Sequence, residues 1–141
     1  MLRELGIATA MVVLTVAIHG FGLFSLTRLL RLESAEERSE HISVLSVRGL
    51  VATLMAVLGL FALHGMEIWI YAFLFVALDA VEGLRNAVYF STITYGAIGY
   101  NDAAMAESWR LVSAIEGING IVLLGWSTAF FVTRIAGMRQ L

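Results

Sequence analysis

Ionisable side chains inside long apolar stretches are costly to place in a bilayer, and for that reason they mark sites of function. Four stand out in this sequence: His19, His64, Glu67 and Glu116. His64 and Glu67, in the run LHGMEIW, are three residues apart. They therefore share one helix face, where they can hydrogen-bond each other or grip one ion. His19 has a similar setting, IHGFG, in an earlier apolar stretch. Two imidazoles and one carboxylate around an open position form the ligand set of a catalytic zinc site, where the metal lowers the pKa of bound water to about 7 and supplies hydroxide. The expectation is a divalent metal, zinc, held by His19, His64 and Glu67. Glu116 is the catalytic candidate, as fourth ligand, hydrogen-bond partner of a ligand, or general base. The plainer alternative is that each of the four makes only an interhelical hydrogen bond.

These residues need elements to position them. The chain has 141 residues, 60% apolar and 14% charged, with no proline and a mean hydropathy of +0.86. A soluble domain of this size carries far more charge, so the bilayer is the expected solvent. Three stretches exceed the roughly 20 apolar residues that cross a hydrocarbon core: 5–31, 45–78 and 103–135. Together they predict a single all-α membrane domain over 1–141 without a separate soluble module. The first stretch is longer than a signal-peptide core and has no convincing small-residue cleavage site after it, so it reads as a retained span. The second, at 1.5 Å per residue, is about 50 Å long and must tilt, protrude or bend, with Gly59 and Gly65 as soft points.

With no cysteine in the chain, disulfides and thiolate metal sites are excluded. The net charge of -2 is uninformative, and nothing in the chain is basic enough to suggest a nucleic-acid partner, so none is expected. All nine basic residues are arginines, six of them (Arg28, Arg31, Arg38, Arg48, Arg134 and Arg139) around the first loop and the C-terminus, against Arg3, Arg85 and Arg110 on the other side. The positive-inside rule then puts the first loop and C-terminus in the cytoplasm. The N-terminus and 79–107 face outward across the cell's inner membrane. His19 lies 15 residues from Glu4, His64 15 before Asp79 and Glu116 14 after Asp102. At 1.5 Å per residue all three sit about 21–23 Å from those markers, at a shared depth.

Between the second and third spans the pattern changes. Residues 82–93 (EGLRNAVYFSTI) read as a helix too short to span, and 94–102 (TYGAIGYND) carry helix-breaking glycines. A short helix that enters, turns and leaves on the same side is a re-entrant segment, here 82–102. Its irregular backbone survives at membrane depth only where protein or a water-filled cavity satisfies it, which implies a homo-oligomer within the lipid bilayer.

The run YFSTITYGAIGYND over 89–102 resembles the potassium-channel pore signature, in which an aromatic-Ser-x-x-Thr helix end leads to Thr-x-Gly-Tyr-Gly-Asp. Trp109-Arg110 and EGINGIVLLGWST over 116–128 are similar to the inner helix of small two-helix channels. The resemblance covers roughly 51–138 and implies a potassium-channel-like fold with one additional helix in front. Gly99 and Tyr100 match the filter. Asn101 stands at the second glycine of Gly-Tyr-Gly, and Gly96 and Ala97 replace two threonines. A potassium filter needs alternating backbone handedness to aim its carbonyls inward, so these departures argue against potassium selectivity. Asp102 keeps its place behind the filter turn. In channel relatives a carboxylate on the inner helix often braces the pore helix, which is a second role open to Glu116.

The chain as a whole, as a divergent branch of that superfamily, resembles the trimeric integral membrane enzyme with a potassium-channel fold. That resemblance implies a trimer without an open pore and a metal-dependent hydrolase site opening outward, its substrate unknown. The leading expectation is thus a zinc-dependent membrane hydrolase, and the alternative is a tetrameric cation channel with degenerate selectivity. A third is a non-catalytic scaffold. On the last span Ser113, Glu116, Gly120 and Ser127 fall in a narrow stripe with Asn119 beside it, which predicts close helix packing rather than a nucleophilic serine. Trp69, Tyr71, Tyr89, Trp109 and Trp126 are read as interfacial anchors and packing residues, and His41 as a solvated loop residue.

Overall fold

The computed structural model describes residues 1–37, 47–99 and 101–138. Four α-helices account for most of them: α1 (Leu2–Glu37), α2 (Val47–Ala77), α3 (Leu84–Tyr95) and α4 (Arg110–Met138). Three segments, Leu2–Leu29, Gly49–Ala77 and Glu107–Arg134, are long and apolar enough to cross a membrane. The 12-residue α3 is not. The protein is an all-α, multi-pass membrane protein with a re-entrant helix between its second and third spans.

Helix ends explain how α3 is held. Beyond Ala77, Asp79 adopts a left-handed conformation (φ 51°). The Ala80 N–H donates to the Phe75 carbonyl at 2.8 Å and the Asp79 N–H to Val76 at 3.1 Å. This paired closure is a Schellman cap, and it turns the chain sharply toward α3. The end of α3 repeats it with Ala97 at φ 53°. Here the Ile98 N–H donates to Ile93 at 2.9 Å and the Ala97 N–H to Thr94 at 3.1 Å.

Boundaries differ from the sequence reading most at the end of α1 and the start of α4, and α3 runs over 84–95 where 82–93 is expected. α1 continues six residues past the expected end at 31, because LESAEE is rich in helix formers. The rest of the expected 32–41 connection, from residue 38 and including His41, lies outside the described residues, as do the first two residues of the expected second helix. The third span does not begin as an α-helix at 103. Asp102–Ala104 and Glu107–Trp109 are 3-10 turns, pinned where the Ala103 N–H meets Asn101 Oδ1 at 3.1 Å and the Ala106 N–H meets the Ala80 carbonyl at 2.9 Å. α2 runs uninterrupted through Gly59 and Gly65.

α3 packs against α2 and α4, and α1 packs against the same two helices from another side. Two larger apolar cores result, with a small third cluster around Ala52 and Ala56 among the described residues. One, at the α3 end, gathers Ala8, Met11, Tyr71, Phe75, Phe90 and Trp109 with their neighbours. The other joins Leu23, Leu60 and Leu63 to Phe130 and Phe131 further along the bundle. Between them lies a buried polar layer. The outward apolar faces, with Phe21, Phe24, Leu58, Phe61 and Ile121 exposed, suit lipid or a neighbouring subunit.

Candidate functional site

The polar layer is built by all four helices. α1 contributes His19, α2 both His64 and Glu67 one turn apart, α3 its last residue Tyr95, and α4 Ser127. His19 and Glu67 are fully buried, Tyr95 and Ser127 nearly so, and His64 is partly exposed. The side chains close into a ring. His19 Nδ1 meets Glu67 Oε1 at 2.9 Å. The Tyr95 hydroxyl donates to Glu67 Oε2 and lies 2.9 Å from His64 Nδ1. His64 Nε2 is 2.9 Å from Ser127 Oγ, and that oxygen is 3.2 Å from His19 Nε2. The two imidazole rings stand 5.1 Å apart, with Trp126 against His19 at 5.3 Å.

Tyr95 reaches the ring because α3 is pressed close to α4. A Cβ built on Gly120 collides with the Tyr95 carbonyl. Only glycine allows α4 to approach so near, and Tyr95 is thereby held at its backbone by α4 and at its hydroxyl by α2.

Of the residues singled out in the sequence, His19, His64 and Glu67 come together: each offers a ligand atom within 4.8 Å of the others. Among the described residues, they form a group whose donor set suits a metal ion. Glu116 stands apart from them. Its Oε1 accepts a hydrogen bond from Ser91 of α3, and Ser91 also lies 3.1 Å from the Ile68 carbonyl. Glu116 therefore links α4 to α3 and, through Ser91, to α2. Its Oε2, Ser113 Oγ and Thr94 Oγ1 are buried without a partner among the described residues. One layer away, Asn119 donates to Thr15 at 2.8 Å and to Tyr71 at 3.3 Å.

Sequence reasoning missed Tyr95 and Ser127 as members of this site. Ser127 lies on the polar stripe of α4, whose spacing predicts packing. Tyr95 was absorbed into the filter-like motif, and its signal was the four-residue step from Ser91, which puts both on one face of α3.

The filter-like loop departs from a potassium filter in its backbone as well as its residues. Among the described residues of 96–102, Ala97 alone has a positive φ. The N–H groups of Ile98 and Gly99 both fold back to the Ile93 carbonyl, at 2.9 and 3.2 Å. The loop begins as a helix stop, not as the alternating-handed strand that aims carbonyls at an ion. Gly96, Ala97, Ile98 and Gly99 are all exposed on the single chain.

Residues 63–136 match the family described as ion channel, a two-helix, potassium-channel-like family. Neither the curated proteins nor the solved structures yield a match. The matched segment is more than half of the chain. It holds four of the five ring residues, and His19, on the additional first helix, lies outside it. With a re-entrant helix set between two spans and a family match that runs from within α2 through α3 and its loop into α4, the chain belongs to the ion channel family.

Proposed function

We propose that the protein is an oligomeric cation channel of the pore-loop type with relaxed selectivity. The observation that carries this reading is the family match over residues 63–136, from the later half of the second span through α3, its loop and the third span, with residues 96–99 exposed on the single chain. Four copies supply a pore of this type, so a tetramer is the assembly that goes with it. The arginine distribution favours an orientation with the N-terminus and loop outside and the C-terminus in the cytoplasm. Reconstituted liposomes provide the test. Potassium and sodium should cross at comparable rates, and flux should fall when residues 96–99 are replaced or deleted. Absence of flux under varied ionic conditions rejects the reading.

A second reading is favoured by one observation, the convergence of His19, His64 and Glu67. In it the protein is a metal-dependent membrane hydrolase. The three residues hold a zinc-class ion that, when bound, activates water, and a trimer is the assembly that goes with it by resemblance. Glu116 holds α3 through Ser91, so it acts here by positioning the pore helix. Metal analysis of purified protein and of His64→Ala tests this reading, since no bound metal, or no loss on substitution, removes it.

A further inference from the structure

The ring can be followed proton by proton. With Glu67 ionised, its Oε1 takes the proton on His19 Nδ1 and its Oε2 takes that of Tyr95. The Tyr95 oxygen in turn takes the proton on His64 Nδ1. A neutral imidazole protonated at Nδ1 has a bare lone pair at Nε2. With both imidazoles neutral, each turns a lone pair toward Ser127 Oγ, at 3.2 and 2.9 Å. That hydroxyl carries one proton, which serves one nitrogen. The other lone pair faces it at bundle depth without a positive partner, where polar groups are ordinarily satisfied. Two imidazoles and a carboxylate are donors that suit zinc-class transition metals better than calcium or magnesium.

Tyr95 ties this cluster to the loop. Its hydroxyl holds Glu67, its carbonyl is wedged against Gly120, and the loop's cap closes on Ile93 and Thr94 within the same turn. The Glu67 carboxylate moves as one rigid plane, so a turn that brings either oxygen onto an ion shared with the two histidines also changes its hold on Tyr95.

We infer that a zinc-class ion held by His19, His64 and Glu67 regulates the pore loop through Tyr95, the last residue of α3. Tyr95 is a positioning residue in this scheme: when Glu67 changes its hold, the end of α3 and the cap at 96–98 shift with it. The inference rests on the three-residue cluster as a metal site, and it requires neither hydrolysis nor conduction.

The test uses the full chain in lipid vesicles. Because the protein has no cysteine, Ile98→Cys, at an exposed loop position, takes a single environment-sensitive fluorophore. Cobalt(II) absorption reports binding, and zinc titration with fluorophore emission reports the loop. Zinc should change the emission, saturating over the concentration range in which cobalt binds. Tyr95→Phe in the labelled chain should retain the cobalt bands at saturating metal, with affinity weakened by about 10–100-fold, and lose the emission change. His64→Ala should lose both signals. Cobalt binding with unmoved emission overturns the coupling, as does an undiminished emission change in Tyr95→Phe. Absence of cobalt bands in the parent overturns the metal site itself, so the two failures are read separately.

Discussion

The hydroxyl of Tyr95, at the end of the re-entrant helix, donates its hydrogen bond to the carboxylate of Glu67 on α2. This one bond joins the loop-bearing helix to a buried ring that α1 and α4 complete. Tyr95→Phe leaves the aromatic packing but strips Glu67 and His64 of a shared partner. The expected cost is about 1–2 kcal/mol, seen as a lower melting temperature of the purified protein in detergent.

Gly120 is where α4 and the Tyr95 backbone come closest. Gly120→Ala forces a collision with a carbonyl that cannot swing away, and overpacking of this kind costs about 1–3 kcal/mol. Gly125→Ala is the internal control, since nothing lies within 4 Å of its added Cβ. There the better helix propensity of alanine should leave stability unchanged or raise it by up to about 1 kcal/mol. Comparing the two melting temperatures separates close approach from a general effect of losing glycine.

Ala97 occupies the left-handed position of the cap that ends α3. Glycine adopts that conformation without the steric penalty of a Cβ, so Ala97→Gly should stabilise the protein by about 0.5–1 kcal/mol after its greater unfolded-state entropy is subtracted. Melting temperature is again the readout. A decrease would show that the cap does not form as described.

Ligand linkage gives a check on the metal cluster that needs no assay of function. Zinc at a hundred times its dissociation constant should stabilise the folded protein by about 2.7 kcal/mol. The gain should vanish in His64→Ala. It should persist in Glu116→Gln, because Glu116 is bonded to Ser91 and not to the cluster.

How much of this could be read from the chain depends on the kind of information each feature needs. Span positions follow from apolar run length, which is local, and the three membrane helices fall where it put them. His19 and His64 meet because helical rise converts residue counts into depth and each stands 15 residues from its marker, with Glu67 one turn along from His64, whereas Glu116, at nearly the same count, turns to Ser91 instead. Depth carries no rotation, however. Ser127 and Tyr95 join the ring only because α1, α3 and α4 turn particular faces inward, a choice made by tertiary packing such as the Gly120 contact. The 3-10 turns before α4 escaped for a related reason: the Ala106–Ala80 hydrogen bond that fixes them joins segments distant in sequence.

The ring also bears on how the chain is made. His19 enters the membrane on one helix, His64 and Glu67 on the next and Ser127 on the last, each in a span that cannot satisfy it alone. A polar group left in hydrocarbon is penalised until a partner helix arrives. Each span, once inserted, therefore carries a reason not to diffuse away from the others. His19 comes from the helix outside the channel-family segment, and it fastens that added helix to the segment at mid-membrane. The same five side chains that form the site thus act during biogenesis as a latch, closed only when all four helices have met.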